Sequence, residues 1–170
     1  MLLPLDLIIA LCIAVFIHEF CHILLLYLFD IPILHIDLRI GGAAIQTAAL
    51  PVIQELFCAL AGPAGSFLCL LFLRRFPLLA LCGYVQGLYN LLPVYPLDGG
   101  RILHCLCLLF LPNHAARICK FIENCVTLSV LLISFLLCLH TKDWVYIFPA
   151  GYFLIQIGTG RKSPCKEQYF

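Results

Sequence analysis

The chain has 170 residues, of which 64% are hydrophobic and only 11% charged, and its mean hydropathy is +1.07. Such a composition cannot cover a water-soluble globule with polar surface, so the chain reads as an integral membrane protein whose core is its membrane bundle. A formal net charge of +1, with no basic run beyond Arg161-Lys162, argues against a nucleic-acid partner.

At about 20 residues per span, the length suits about five or six transmembrane helices and leaves no room for an additional soluble domain. The first apolar stretch runs from about Leu5 to Phe29. The N-terminal MLLPLD lacks a basic n-region, so this stretch is expected to be a retained helix and not a signal peptide. Within it stands His18-Glu19-Phe20-Cys21-His22. On an α-helix, positions i and i+4 lie about 40° apart around the axis and about 6 Å apart along it, so His18 and His22 share a face and can bind one metal. Glu19 beside them is a candidate general base. In hydrocarbon each such group costs a few kcal/mol or more unless it is paired or ligated. Three buried polar residues merely hydrogen-bonded to neighbouring helices is the blander alternative.

The next segment changes period. From Leu34 to Ile40, polar residues at His35, Asp37 and Arg39 alternate with apolar ones, as in a half-buried strand. Gly41-Gly42 offers a tight turn and Ala43 to Thr47 returns, giving a small β-hairpin at the membrane surface whose edge could accept an extended peptide. An ordinary interfacial loop is the alternative here. A second apolar helix follows from about Val52 to Leu73. It contains Ala61-Gly62-Pro63-Ala64-Gly65-Ser66, small residues that permit close helix approach, with Pro63 placed to kink the helix.

A third helix begins near Pro77 and breaks at Asn90-Leu91-Leu92-Pro93-Val94-Tyr95-Pro96-Leu97-Asp98-Gly99-Gly100-Arg101. Two prolines three residues apart do not fit a regular helix, so this stretch is expected to be extended. Asp98 is the natural third ligand, because two His and one carboxylate leave a fourth zinc position for water. With 98–111 only half-inserted, the spans are about 5–29, 52–73, 77–92, 118–140 and 144–158. Arg39, Arg101, Arg117, Lys120, Arg161, Lys162 and Lys166 then fall on one side, against Arg74, Arg75 and Lys142 on the other. The positive-inside rule therefore favours five spans over six, with the N-terminus outside and the C-terminus in the cytoplasm. The expected fold is an all-α polytopic membrane protein: a bundle of five helices, or six, with the hairpin at the surface. Residues 1–160 form one domain and 161–170 a short cytoplasmic tail.

The eleven cysteines form no CxxC pair and read as small filler between helices. Glu55 and Glu123 are expected at or near helix N-termini, where the dipole favours acids. His35, His104, His114 and His140 read as interfacial or solvated.

His-Glu-Phe-Cys-His in the first helix, Ala-Gly-Pro in the second and Asn-Leu-Leu-Pro-Val-Tyr-Pro-Leu-Asp-Gly-Gly-Arg closing the third resemble the site-2 protease family of intramembrane zinc metalloproteases. The likeness covers about residues 5 to 104. It implies one Zn2+ per chain held by His18, His22 and Asp98, with Glu19 activating the bound water. It also implies that Asn90 and the nearby Pro93 and Pro96 help to position the substrate strand; with the hairpin turn at Gly41 and Gly42 they make the candidate substrate-positioning set. The implied partners are a membrane-tethered protein substrate, the lipid bilayer and regulatory membrane proteins. The compact build is most similar to the sporulation-type branch, which releases a pro-sigma factor at the bacterial cytoplasmic membrane, with the active site near the cytoplasmic face. The sequence departs from that branch in showing no nucleotide-binding-type module after the last helix. It also shows no PDZ insertion and no span before the catalytic helix.

Two other classes compete. A divalent-metal transporter should line a pathway with ligands at several depths, whereas these fall at one. A catalytically inactive, substrate-binding relative would be expected to have lost Glu19.

Overall fold

The structure is a computed structural model that describes residues 4–39, 42–47, 50–141, 151 and 154. In chain order it contains α1 (Leu5–Leu28), β1 (Ile33–Arg39), β2 (Gly42–Thr47), α2 (Val52–Leu68), α3 (Pro77–Asn90), α4 (Asp98–Phe110) and α5 (Ala115–Thr141). One-turn 3-10 segments follow α2 at Cys69–Phe72 and precede α5 at Pro112–His114. The helical, polytopic membrane fold expected from the sequence is what forms. The chain divides into two compact units, Met1–Leu91 and Leu92–Phe170.

In the first unit, α1, α2 and α3 pack pairwise against one another. The buried residues of α1 are Ala10, Ala14, His18, His22 and Leu26, one every fourth position, so a single narrow seam faces the other helices. Around that seam α1 exposes Ile8, Ile9, Phe16, Phe20 and Leu24. Small residues inside and large apolar ones outside reverse the soluble pattern and suit a lipid solvent, where close backbone approach drives helix association. The facing sides of α2 and α3 follow suit, burying Cys58, Ala59, Gly62, Gly65, Ser66, Ala80, Gly83 and Gly87. A Cβ on Gly83 would stand 2.6 Å from the Ser66 carbonyl oxygen and 2.6 Å from Cys69 Cβ, so α2 and α3 meet backbone to backbone at that point.

α2 runs through Pro63 without a break, then tightens into the 3-10 turn at 69–72 instead of continuing as α-helix to Leu73. Together they make a 21-residue apolar segment, Val52–Phe72, long enough to cross a membrane, as is α1. α3 has 14 residues and so rises about 21 Å, short of the ~30 Å hydrocarbon layer. It ends at Asn90, as the proline-rich sequence after it predicts.

β1 and β2 pair antiparallel with Arg39 opposite Gly42 and His35 opposite Gln46, and an irregularity falls between Ile33 and His35. The hairpin is therefore present, but Gly42 is the first residue of β2 and not part of the turn. Gly41 lies outside the described residues.

The stretch Asn90–Arg101 is expected to be extended, but Asn90 closes α3, Asp98–Arg101 open α4, and the residues between are not extended either. They form consecutive turns, with Val94 N–H donating to the Leu92 carbonyl at 2.7 Å and Leu97 N–H to the Val94 carbonyl at 2.9 Å, and the Tyr95–Pro96 bond is cis. Prolines bar both helix and a paired strand, and short-range turn bonds satisfy the backbone instead. α4 packs against α5, whose 27 residues bury only Ala115 and expose Phe121, Leu128, Leu132, Ile133 and Leu136. The Pro112–Thr141 segment is long and apolar enough to cross a membrane, its charged residues Arg117, Lys120 and Glu123 lying in its first half. Because α5 starts at Ala115, Glu123 lies two turns inside it and not at its N-terminus. Apart from residues 151 and 154, the expected span 144–158 lies outside the described residues.

Candidate metal centre

The first unit supplies a histidine pair. His18 and His22 are 2% and 7% exposed, with rings nearly perpendicular at 81° and centroids 4.9 Å apart. Each ring is held through Nδ1 by α2: His22 Nδ1 lies 2.7 Å from the Cys58 carbonyl oxygen, and His18 Nδ1 lies 2.8 Å from Ser66 Oγ. A carbonyl oxygen only accepts, so His22 carries its proton on Nδ1 and turns Nε2 outward as a lone pair. The two Nε2 atoms converge at 3.3 Å.

That separation tests the metal idea. Two nitrogens each about 2.0–2.1 Å from one tetrahedral zinc stand about 3.3–3.4 Å apart. Fixing Nδ1 by a backbone carbonyl or a hydroxyl while Nε2 is presented is the arrangement that metal-bound histidines require. Space for it comes from Gly62. A Cβ there would fall on His22 Nε2, and within 2.6 Å of His22 Cε1 and 2.7 Å of His18 Cε1. The α2 backbone thus forms one wall of the pair, and only hydrogen fits between. Gly65 plays a like part beside Cys21, whose Sγ would meet a Cβ at that position.

Glu19 follows His18 on α1, about 100° further round the helix, and is half-buried. Asn90 closes α3, with Nδ2 donating to the Gln86 carbonyl at 3.1 Å.

In the second unit, Asp98 is the first residue of α4 and 8% exposed, the one buried carboxylate among the described residues. Leu97 precedes the helix, and its carbonyl accepts from Gly100 N–H at 3.0 Å and Arg101 N–H at 3.3 Å. The turns holding Pro93 and Pro96 fold back on the first turn of α4 so closely that a Cβ on Gly100 would stand 2.6 Å from Val94 C and from Tyr95 N. Val94 and Leu97 are buried at 1% and 4% exposure. Asp98 therefore sits on a packed, backbone-fixed turn. A carboxylate in a first helical turn also gains from the dipole, which alone would justify an exposed acid but not a buried one.

His18 and His22 in the first unit and Asp98 in the second are thus each a buried side chain of a type that can ligate metal. Missing from the sequence-level picture were Ser66, the Cys58 carbonyl and Gly62. The run Ala61 to Ser66 signalled close packing, and its one hydroxyl was the available hint of a polar partner.

No protein-family model matches the chain, and no curated protein matches it. Among solved structures the chain is similar to the site-2 protease from Methanocaldococcus jannaschii, with a TM-score of 0.70 and 24% identity over 93% of this chain and 78% of that one.

Proposed function

We propose that this chain, which has the fold of a site-2 protease, is an intramembrane zinc metalloprotease that hydrolyses a peptide bond within or next to a transmembrane segment of a membrane-tethered protein. The observation that carries this is the buried pair of imidazoles, each anchored through Nδ1, whose Nε2 atoms stand 3.3 Å apart as two ligands of one zinc should. Asp98 completes the set as third ligand, consistent with its burial on a fixed turn. Zinc in this site supplies Lewis acidity, which makes water nucleophilic near neutral pH and steadies charge on the attacked carbonyl oxygen.

Glu19 is the general base. It takes a proton from the attacking water and returns it to the leaving amine. A transmembrane substrate protects its amides in its own helix, so a stretch of it must unwind before attack. The hairpin edge, with Gly41 and Gly42, holds the unwound strand by backbone hydrogen bonds, and Asn90, Pro93 and Pro96 position it. Residues 1–160 act as one domain with a cytoplasmic tail at 161–170, in a bacterial cytoplasmic membrane with the site toward the cytoplasm. A membrane-tethered pro-sigma factor is the substrate class to which the resemblance to the sporulation-type branch points.

The test is zinc content together with cleavage of a panel of single-span substrates by wild type and Glu19→Gln in detergent. About one zinc in both proteins, with cleavage by wild type alone, supports the proposal. An intact wild type that binds no zinc refutes it.

A further inference from the structure

Ser66 is fully buried on α2, 48 residues from the histidine it touches, and its Oγ lies 2.8 Å from His18 Nδ1. We infer that the Ser66 hydroxyl is a positioning group that supplies the acceptor which the metal-ligating tautomer of His18 needs, an inference that rests on the zinc site proposed above. The two histidines differ in what fixes them. His22 faces a carbonyl and has one choice, a proton on Nδ1.

His18 faces a hydroxyl, which both donates and accepts, and so has two choices. With its proton on Nδ1 donated to Ser66 Oγ, His18 presents a lone pair at Nε2 beside that of His22, and both can ligate. With its proton on Nε2 it donates to His22 Nε2 across the 3.3 Å gap, and Ser66 donates to Nδ1. The second arrangement satisfies every atom of the pair without metal and blocks ligation. Passing from it to the first costs no net proton, because the hydroxyl reverses as the imidazole changes tautomer. Alanine at position 66 removes the acceptor that stabilises the ligating form.

The surroundings fit a small hydroxyl residue. A Cβ on Gly87 would stand 3.2 Å from Ser66 Cβ, and the Ser66 carbonyl is pressed against Gly83. Cys69, 1% exposed and one turn on, packs in the same interface against Gly83 and serves as the comparison.

The experiment uses the full chain in detergent: wild type, Ser66→Ala, Ser66→Thr and Cys69→Ala. Zinc and cobalt affinities come from chelator competition, and the tautomer of His18 from 15N spectra of the zinc-free protein. Ser66→Ala is expected to bind about 10- to 100-fold more weakly and to shift His18 toward the Nε2-protonated form, with activity restored by raised free zinc. Ser66→Thr, which keeps the hydroxyl, should bind closer to wild type than Ser66→Ala does. Cys69→Ala, which loses packing and a long thiol contact to the Gly65 carbonyl but no bond to either histidine, should stay within about threefold of wild type. Unchanged affinity in Ser66→Ala, or an equal loss in Cys69→Ala, overturns the inference. If Ser66→Ala does not fold, Ser66→Thr decides: retained affinity supports the role and lost affinity refutes it. A wild type that binds no metal overturns the zinc proposal, while the zinc-free spectra still report whether Ser66 sets the His18 tautomer.

Discussion

Adding one methyl group at Gly62 separates metal binding from folding. The new Cβ would collide with His22 Nε2 and would lie 2.6 Å from His22 Cε1 and 2.7 Å from His18 Cε1. Ordinary contact begins at 3.4 Å, so the His18 ring must retreat by 0.7 Å and the His22 ring, whose Nε2 is the nearest atom, by more than 0.8 Å. Metal–ligand distances tolerate only about ±0.2 Å, so that displacement takes both nitrogens out of range of a shared ion. The fold suffers less. Overpacking costs about 1–3 kcal/mol, and replacing a helical glycine by alanine returns about 0.8–1.0 kcal/mol, for a net loss of about 2 kcal/mol or less. Gly62→Ala should therefore remain folded, with a modestly lower melting temperature by circular dichroism in detergent. Its zinc content should fall far below one per chain, by elemental analysis and chelator competition, and its proteolysis should fall with it. A Gly62→Ala protein that binds zinc as tightly as wild type would refute the claim that the two Nε2 atoms define the site.

Asp98→Ala should lower zinc content while leaving the stability of the zinc-free protein within about 1 kcal/mol of wild type; full zinc retention would remove Asp98 from the ligand set. Gly100→Ala should destabilise the chain by about 1–3 kcal/mol, since the obstructing atoms are the backbone of Val94 and Tyr95, and a wild-type melting curve would contradict that packing. Reporter fusions after Arg74 and at the C-terminus should report opposite compartments, Arg74 outside and the terminus in the cytoplasm; a shared compartment would rule out the five-span topology.

Much of the fold follows from local pattern. Hydropathy alone places the chain in a membrane, the period-two stretch falls in β1 as far as Arg39, and the prolines after Asn90 end α3 where they should. The i, i+4 spacing puts His18 and His22 on one face whatever surrounds them, because helix geometry is set by bonds within four residues. Local pattern failed where two backbone options were both locally allowed. Prolines at 93 and 96 exclude helix but do not choose between extended chain and turns. Paired glycines at 41–42 signal a turn without fixing which of them starts the strand, and register is set by pairing along both strands.

The sequence by itself determined the solvent of this protein, the order of its helices and the donor types available to a metal, since composition and spacing are properties of the chain alone. Only the tertiary structure decided which nitrogens converge, which hydroxyl and carbonyl hold the rings, and which glycine makes room for them. Those choices depend on the face α2 turns toward α1. That face is selected by close packing of Gly62, Gly65 and Ser66 against residues 40 to 48 positions away in the chain, a long-range fit that no local period encodes.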